Sequence, residues 1–325
     1  MNAGKYILCL VGAVLLFGSI EAQFEEMINP SDLKQQTVIT EPQTLRKGFL
    51  RAGLRATFIF QDRHFDEKGK KHYLLGTNVQ GKLWHNYLSL SYGVTDWFQA
   101  GVEMPYSWEE NLISFRIISP IIGYDSLLTN KSIGKGLSDL NTSLRFLVLN
   151  ESEGRPSISL GIDLTIPTGR KNPYNVKSDQ EYSEPMGSGH FALSMDLIIK
   201  KVIYPYSFTF TSFYYYNFEG EKQYLPDEDP IRFKPSNNMG AIGGVGVHLN
   251  DWIALTNNLS CFVFGEGKRY YEPVEISNGG YNIEYVAAIY FQIRRFRLKE
   301  HTSIPLWGKN ASADPTYSVT LQFIF

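Results

Sequence analysis

A chain of 325 residues with 31 basic and 33 acidic side chains is nearly neutral, at −2, and carries no electrostatic footprint for a nucleic-acid partner. Its mean hydropathy of −0.20, with no apolar run of bilayer length beyond the N-terminus, excludes a helical membrane protein. The 21 Phe, 20 Tyr and 5 Trp form a surplus that a soluble chain has no obvious place for.

The chain begins like an export signal. Lys5 precedes an uninterrupted apolar stretch from Ile7 to Phe17, and Ala22 offers a small residue for cleavage before Gln23. This predicts a signal peptide over residues 1–22, which takes Cys9 with it and leaves Cys261 without an intrachain disulfide partner. Residues 23–47 are expected to form a periplasmic segment or plug, and residues 48–325 the body of the protein.

That body alternates with a period of two. Gly48 to Gln61 sets Leu50, Leu54, Phe58 and Phe60 against Arg51, Gly53, Arg55 and Thr57. Val79 to Tyr92 and Trp97 to Trp108 follow. Leu137 to Leu149 sets Leu140, Leu144, Phe146 and Val148 against Asn141, Ser143 and Arg145, and Ser157 to Thr168 alternates Ile158, Leu160, Ile162 and Leu164 with Ser159, Gly161 and Asp163. Ser188 to Lys200 places Phe191, Leu193, Met195 and Leu197 opposite His190, Ser194 and Asp196. The series continues with Tyr204 to Asn217, Asn237 to Leu249, Trp252 to Phe264, Gly280 to Gln292, Arg295 to Leu306 and Thr316 to Phe325, twelve strands in all. Gly240, Gly244 and Gly246 weaken the eighth, and the charges of Arg297, Lys299, Glu300 and His301 weaken the eleventh.

The connections choose between a sandwich and a barrel. Tight turns such as Gly93 to Asp96, Lys201 to Ile203 and Asn250-Asp251 alternate strictly with long polar connections: 62–78, 109–136, 169–187, 219–236 and 265–279. A soluble Greek key has no reason to sort its loops by parity, whereas an outer-membrane barrel has short periplasmic turns and long outer loops. All five Trp fall near strand ends, where interfacial girdles lie, and strands of this length suit a tilted bilayer crossing. The expectation is an all-β, twelve-stranded, antiparallel up-and-down transmembrane barrel in the outer membrane of a Gram-negative-type bacterium, surrounded by outer-membrane lipid. The C-terminal Phe325, with apolar residues at every second position back to Tyr317, resembles the signal read by the outer-membrane assembly machinery.

Gly136-Leu137-Ser138-Asp139-Leu140, then Asp163 to Gly169, then Gly187-Ser188-Gly189, together with Tyr92 to Trp97, resemble the MetA-pathway of phenol degradation family of outer-membrane barrels. The resemblance covers about residues 45–325 and rests on structural motifs. It implies passive transport of small solutes.

On the face opposite the apolar one stand Arg51, Arg55, Glu103, Asp139, Arg145, Asp163 and Asp196, candidates for either a pore lining or an internal ion-pair network. Arg145 is expected opposite Gly161 and diagonal to Asp163. In the seventh strand aromatic residues occur on both faces, which leaves Phe213 and Tyr215 pointing inward near the outer end: an apolar ledge for a hydrophobic or aromatic small-molecule solute, or an extension of the girdle. Two other classes compete with transport. A lipid hydrolase would use Ser188 with His190, or the Ser277-Asn278-Gly279 run, which is similar to that of outer-membrane phospholipases but has Ile276 where a His belongs. A structural or adhesive barrel would transport nothing. No cofactor is expected, and no His or Cys spacing suggests a metal; Asp227-Glu228-Asp229 reads as a solvated loop.

Overall fold

The computed structural model describes residues 44–73, 79–119, 124–172, 174–178, 181–183, 185–223, 229–269 and 275–325. The expected signal peptide, residues 23–43, and Asp227 and Glu228 lie outside them. The described elements are all strands: β1 (Leu50–Gln61), β2 (Arg63–Phe65), β3 (Lys71–Tyr73), β4 (Val79–Thr95), β5 (Phe98–Ser119), β6 (Tyr124–Leu137), β7 (Leu140–Leu149), β8 (Ser157–Ile166), β9 (Tyr174–Ser178) and β10 (Glu181–Ser183). They continue with β11 (His190–Ile203), β12 (Tyr206–Lys222), β13 (Ile231–Lys234), β14 (Asn238–His248), β15 (Ile253–Arg269), β16 (Glu275–Ile293), β17 (Phe296–Lys309), β18 (Ala311–Ser312) and β19 (Thr316–Ile324).

Twelve of these close a wall in the order β1, β4, β5, β7, β8, β11, β12, β14, β15, β16, β17, β19, each antiparallel to the next. The ring shuts where β19 pairs with β1, from Arg51 opposite Ile324 to Ile59 opposite Thr316. Reciprocal hydrogen bonds between the backbones of Leu50 and Phe325, at 3.1 and 2.7 Å, seal the lower end of that seam. Closure leaves the wall without an edge, which is what a β structure needs in hydrocarbon, where an unpaired amide costs several kcal/mol.

Period two decides which side chains face out. On β1, β4 and β5 the even-numbered residues are exposed outward, among them Leu54, Leu88, Leu90, Val102 and Met104. On other strands the odd-numbered residues face out, Phe191 and Met195 on β11, and Leu259 and Val263 on β15. Trp97 and Trp252 stand exposed at the short-turn end, and Trp84 and Trp307 at the other, with Trp84 directly opposite Trp108 in the β4–β5 ladder. Trp97 and Trp108 are eleven residues apart, about 36 Å along a strand and about 26 Å along the normal at a ~45° tilt, matching the apolar band of an outer-membrane barrel.

The long connections are less loop-like than their composition suggests. β5 runs eleven residues past Trp108 and returns as β6, register Ser119 opposite Tyr124 down to Tyr106 opposite Leu137, so the expected loop 109–136 is largely a hairpin projecting above the wall. β2, β3 and β18 make a separate small sheet over the same rim. There Asp66 accepts from the backbone amides of Lys68 and Lys70, both at 2.8 Å, and faces His72 Nε2 at 2.8 Å. The Lys70 amide above all, then His72, holds the Asp66 carboxyl below its usual range.

At the opposite end, Leu45 is buried and its amide donates to Oε1 of the inward-facing Gln99 at 2.9 Å, while Thr44 Oγ1 donates to the Asp96 carbonyl at 2.6 Å. The chain therefore enters β1 from the mouth of the barrel on the short-turn side.

Candidate functional site

The lumen is lined by the polar parity of each strand, and two ion pairs bridge its strands. Arg55 Nη2 donates to Glu103 Oε1 at 2.9 Å across β1, β4 and β5, and its guanidinium lies 3.9 Å from the centre of the Tyr87 ring on the intervening strand. Arg145 does stand opposite Gly161, with Asp163 opposite Ser143. Its ion pair, however, is with Asp196 at 3.3 Å, one strand further round. Gly161 lies between the two, and a β-carbon there would come within 2.3 Å of Asp196 Oδ2, so the missing side chain is what lets the pair form over the backbone. Asp163 accepts from Ser194 Oγ at 3.1 Å instead.

Asp139 belongs elsewhere. It is buried at the rim, in the link between β6 and β7, and accepts from the amides of Gly169 at 2.9 Å and Ser188 at 2.7 Å. Ser138 Oγ donates to the Met186 carbonyl at 2.7 Å, and the Leu140 amide to Thr168 Oγ1 at 3.0 Å. Three sequence motifs far apart in the chain thus meet in one clasp, and Gly169 and Gly187 touch so closely that a β-carbon on Gly169 would lie 2.7 Å from the Gly187 α-carbon. The lumen reading of Asp139 gives way to this anchoring position.

Phe213 and Tyr215 point inward, as their parity requires. β12 continues to Lys222, which puts Phe213 eighth of seventeen residues and opposite Asp196, at mid-wall and not near the outer end. The two rings make an edge contact at 5.5 Å, and Phe213 meets Phe262 of β15 at 5.3 Å. Between β12 and β15 lies β14, whose inward glycines now have a purpose. A β-carbon on Gly240 would lie 2.4 Å from Phe213 Cζ, one on Gly244 1.7 Å from Asn258 Oδ1, and one on Gly246 2.3 Å from Ser207 Oγ. Side chains of the neighbouring strands lie flat across this groove, and the Phe213, Gly240, Phe262 row becomes a continuous apolar ledge.

Toward the short-turn end the lumen fills. Gln99, Ser157, Ser159, Ile198, Lys200, Ser207, Thr256, Ala288, Tyr290 and Arg297 all face inward and are buried. Lys200, Arg297, Lys299 and Phe262 were not among the residues expected to matter, although the alternation of β11, β15 and β17 puts each on the inward parity.

The hydrolase pairings do not form where they can be seen. Ser188 Oγ donates to the His190 carbonyl at 3.1 Å, while the His190 ring faces Asn217 Oδ1 at 3.2 Å and the Ser188 carbonyl at 3.3 Å. The side chain of Ser277 lies outside the described residues. Ser107 Oγ and His85 Nδ1 are hydrogen-bonded at 2.6 Å in the lumen, a pair that sequence reading did not single out.

No protein-family model matches the chain, and no curated protein does. Among solved structures it is similar to an outer membrane channel from Pseudomonas putida F1, with a TM-score of 0.64 at 13% identity over 87% of this chain and 98% of that one. This is the fold of an outer-membrane barrel. Weaker matches include the P. putida toluene transporter TodX, with a TM-score of 0.47 at 8% identity over 91% of this chain and 92% of that one, and a Pseudomonas aeruginosa FadL homologue, with 0.43 at 9% over 85% and 90%.

Proposed function

We propose that the protein is an outer-membrane channel for the passive movement of small, hydrophobic or aromatic molecules. The observation that carries this reading is the ledge of Phe213, Tyr215 and Phe262 at mid-wall, among the polar and charged residues of the neighbouring strands. Tyr215 is 41% exposed on the lumen side, so the ledge is accessible and not packed away. An apolar surface standing in a water-lined cavity gains from covering itself, at roughly 25 cal/mol per Å² of apolar area removed from water. The proposal includes export by a cleaved signal over residues 1–22, assembly through the C-terminal Phe325, and the family resemblance carried by the Asp139 clasp motifs.

The test is uptake of radiolabelled toluene by Gram-negative cells with intact lipopolysaccharide. Expression of the barrel should raise the initial rate several-fold, and the Phe213→Ala, Tyr215→Ala double variant should return it to background. An unchanged rate on expression of the folded wild-type barrel would overturn the reading.

A further inference from the structure

The filled, short-turn end of the lumen carries a buried ammonium with no hydrogen-bond partner among the described residues. Lys200 is 0% exposed, and its Nζ is buried without a hydrogen-bond partner. An isolated buried ammonium is among the costliest groups a protein can hold, by several kcal/mol even after relaxation. It does not stand in a neutral setting. Arg297 of β17 lies within Coulombic reach of Lys200, of Arg51 on β1 and of Lys299 on its own strand, and Arg51 is also within reach of Arg145. Basic side chains from four strands on different sides of the barrel thus converge on one level.

The carboxylates are placed otherwise. Asp196 stands four residues further up the same strand as Lys200, in its pair with Arg145, and Glu103 stands four residues above Gln99, paired with Arg55. Glu151, on the turn between β7 and β8, is an acid within reach of Lys200; its Oε1 accepts from the Val202 amide at 2.7 Å and lies 3.9 Å from Lys201 Nζ, and its buried Oε2 has no hydrogen-bond partner, so this one carboxylate offsets part of the charge of Lys200, Arg297 and Arg51. Arg297 donates to Gln292 and Gln322, neutral acceptors that orient the guanidinium without cancelling its charge. The ring therefore presents net positive charge to whatever enters it.

We infer that this ring is an anion site, formed by Lys200 with Arg297 and Arg51, that takes the carboxylate of a small organic acid. The inference rests on the channel reading and adds to it a preference, among apolar solutes, for one bearing a carboxylate over its neutral analogue. Thr209, opposite Lys200, is four residues below Phe213 on β12, so ledge and ring are about 13 Å apart along the wall. A solute the size of benzoate meets them in succession: the ring body on the aromatic ledge, then the carboxylate on Lys200. Charge-assisted hydrogen bonds in a desolvated site are the strong ones, and they discriminate an acid from its neutral analogue.

Calorimetric titration of the full-length, detergent-solubilised barrel with benzoate and with benzyl alcohol tests this. Benzoate should bind about tenfold tighter, the lower end for a hydrogen bond to a charged group. Lys200→Gln should erase that advantage and Lys200→Arg should keep it, while both leave benzyl alcohol unchanged. Should Lys200→Gln fail to fold, raising chloride from 50 to 500 mM on the wild type should weaken benzoate and spare benzyl alcohol. Benzoate binding no tighter than benzyl alcohol, or indifferent to both Lys200→Gln and chloride, would overturn the anion site and leave the hydrophobic reading standing. Benzoate binding that persists with Phe213→Ala and Tyr215→Ala, with no binding of benzyl alcohol at all, would overturn the ledge and leave the anion site.

Discussion

Gly161 shows how much one absent side chain can decide. Sequence spacing put Arg145 beside Asp163, and the register agrees, yet the arginine reaches Asp196 because Gly161 leaves the space above the backbone empty. Gly161→Ala forces a methyl group into the carboxylate. Overpacking of this kind costs about 1–3 kcal/mol, and the loss should appear as a lowered urea midpoint of the folded, heat-modifiable band. Asp66 offers a second residue-scale expectation. Its carboxyl is held below its ordinary value in the folded state, so the stabilisation it supplies is present above the unfolded value near 4 and is lost as pH falls through the lower, folded one. Hydrogen exchange at the Lys68 and Lys70 amides should therefore stay protected at neutral pH, lose protection on strong acidification, and be unprotected at neutral pH in Asp66→Ala, which removes the acceptor. Equal protection in that variant would show that the amides are held by something else.

The elements were largely legible because a bilayer enforces contrast. Where one face of a strand meets lipid and the other a polar lumen, every second residue must be apolar, and the wall strands are visible as that alternation, more weakly at β14, where glycines interrupt it, and at β17, where charges do. The same logic explains the misreading of residues 109–136. Above the bilayer both faces of the β5–β6 hairpin are free of lipid, so the pairing leaves no period-two signature and looks like a loop. The glycines of β14 were read as a weakness for a related reason: the side chains that cover them come from β12 and β15, at distances along the chain that a single-strand pattern does not register. At this scale the clasp around Asp139 is the part most open to experiment. Asp139→Ala removes the acceptor of two amide hydrogen bonds and should cost about 3 kcal/mol locally, given 1.5–3 kcal/mol for each charge-assisted bond less what water recovers. Because the clasp lies above the wall, the expected readout is faster proteolytic nicking between residues 169 and 188 with an unchanged urea midpoint for the barrel. A fall in that midpoint would mean that the clasp and the wall unfold together.

For the whole molecule, closure is a single cooperative fact. β19 hydrogen-bonds to both β17 and β1, so deleting residues 316–325 exposes two strand edges at once. No heat-modifiable species should accumulate from that truncation, whereas Phe325→Ala, which keeps the backbone ladder, should fold from denaturant in detergent. Fold was readable at this scale because parity and loop length repeat around the ring. The lumen was readable only in part, since parity says which side chains point inward and nothing about how far across a closed ring they reach. Lys200 and Arg297 sit on strands well separated around the wall, and their proximity is a property of the closed cylinder.

The packing of Ser157, Ile198, Lys200, Thr256, Tyr290 and Arg297 across the short-turn end also sets the kinetics of anything that passes. A water-filled bore conducts in proportion to the driving gradient and slows little on cooling. A bore stoppered by its own side chains must wait for rotamers to part, one occupant at a time. On the channel reading proposed above, flux should accordingly level off at high solute concentration and fall steeply on cooling, the behaviour of a turnover number and not of a conductance.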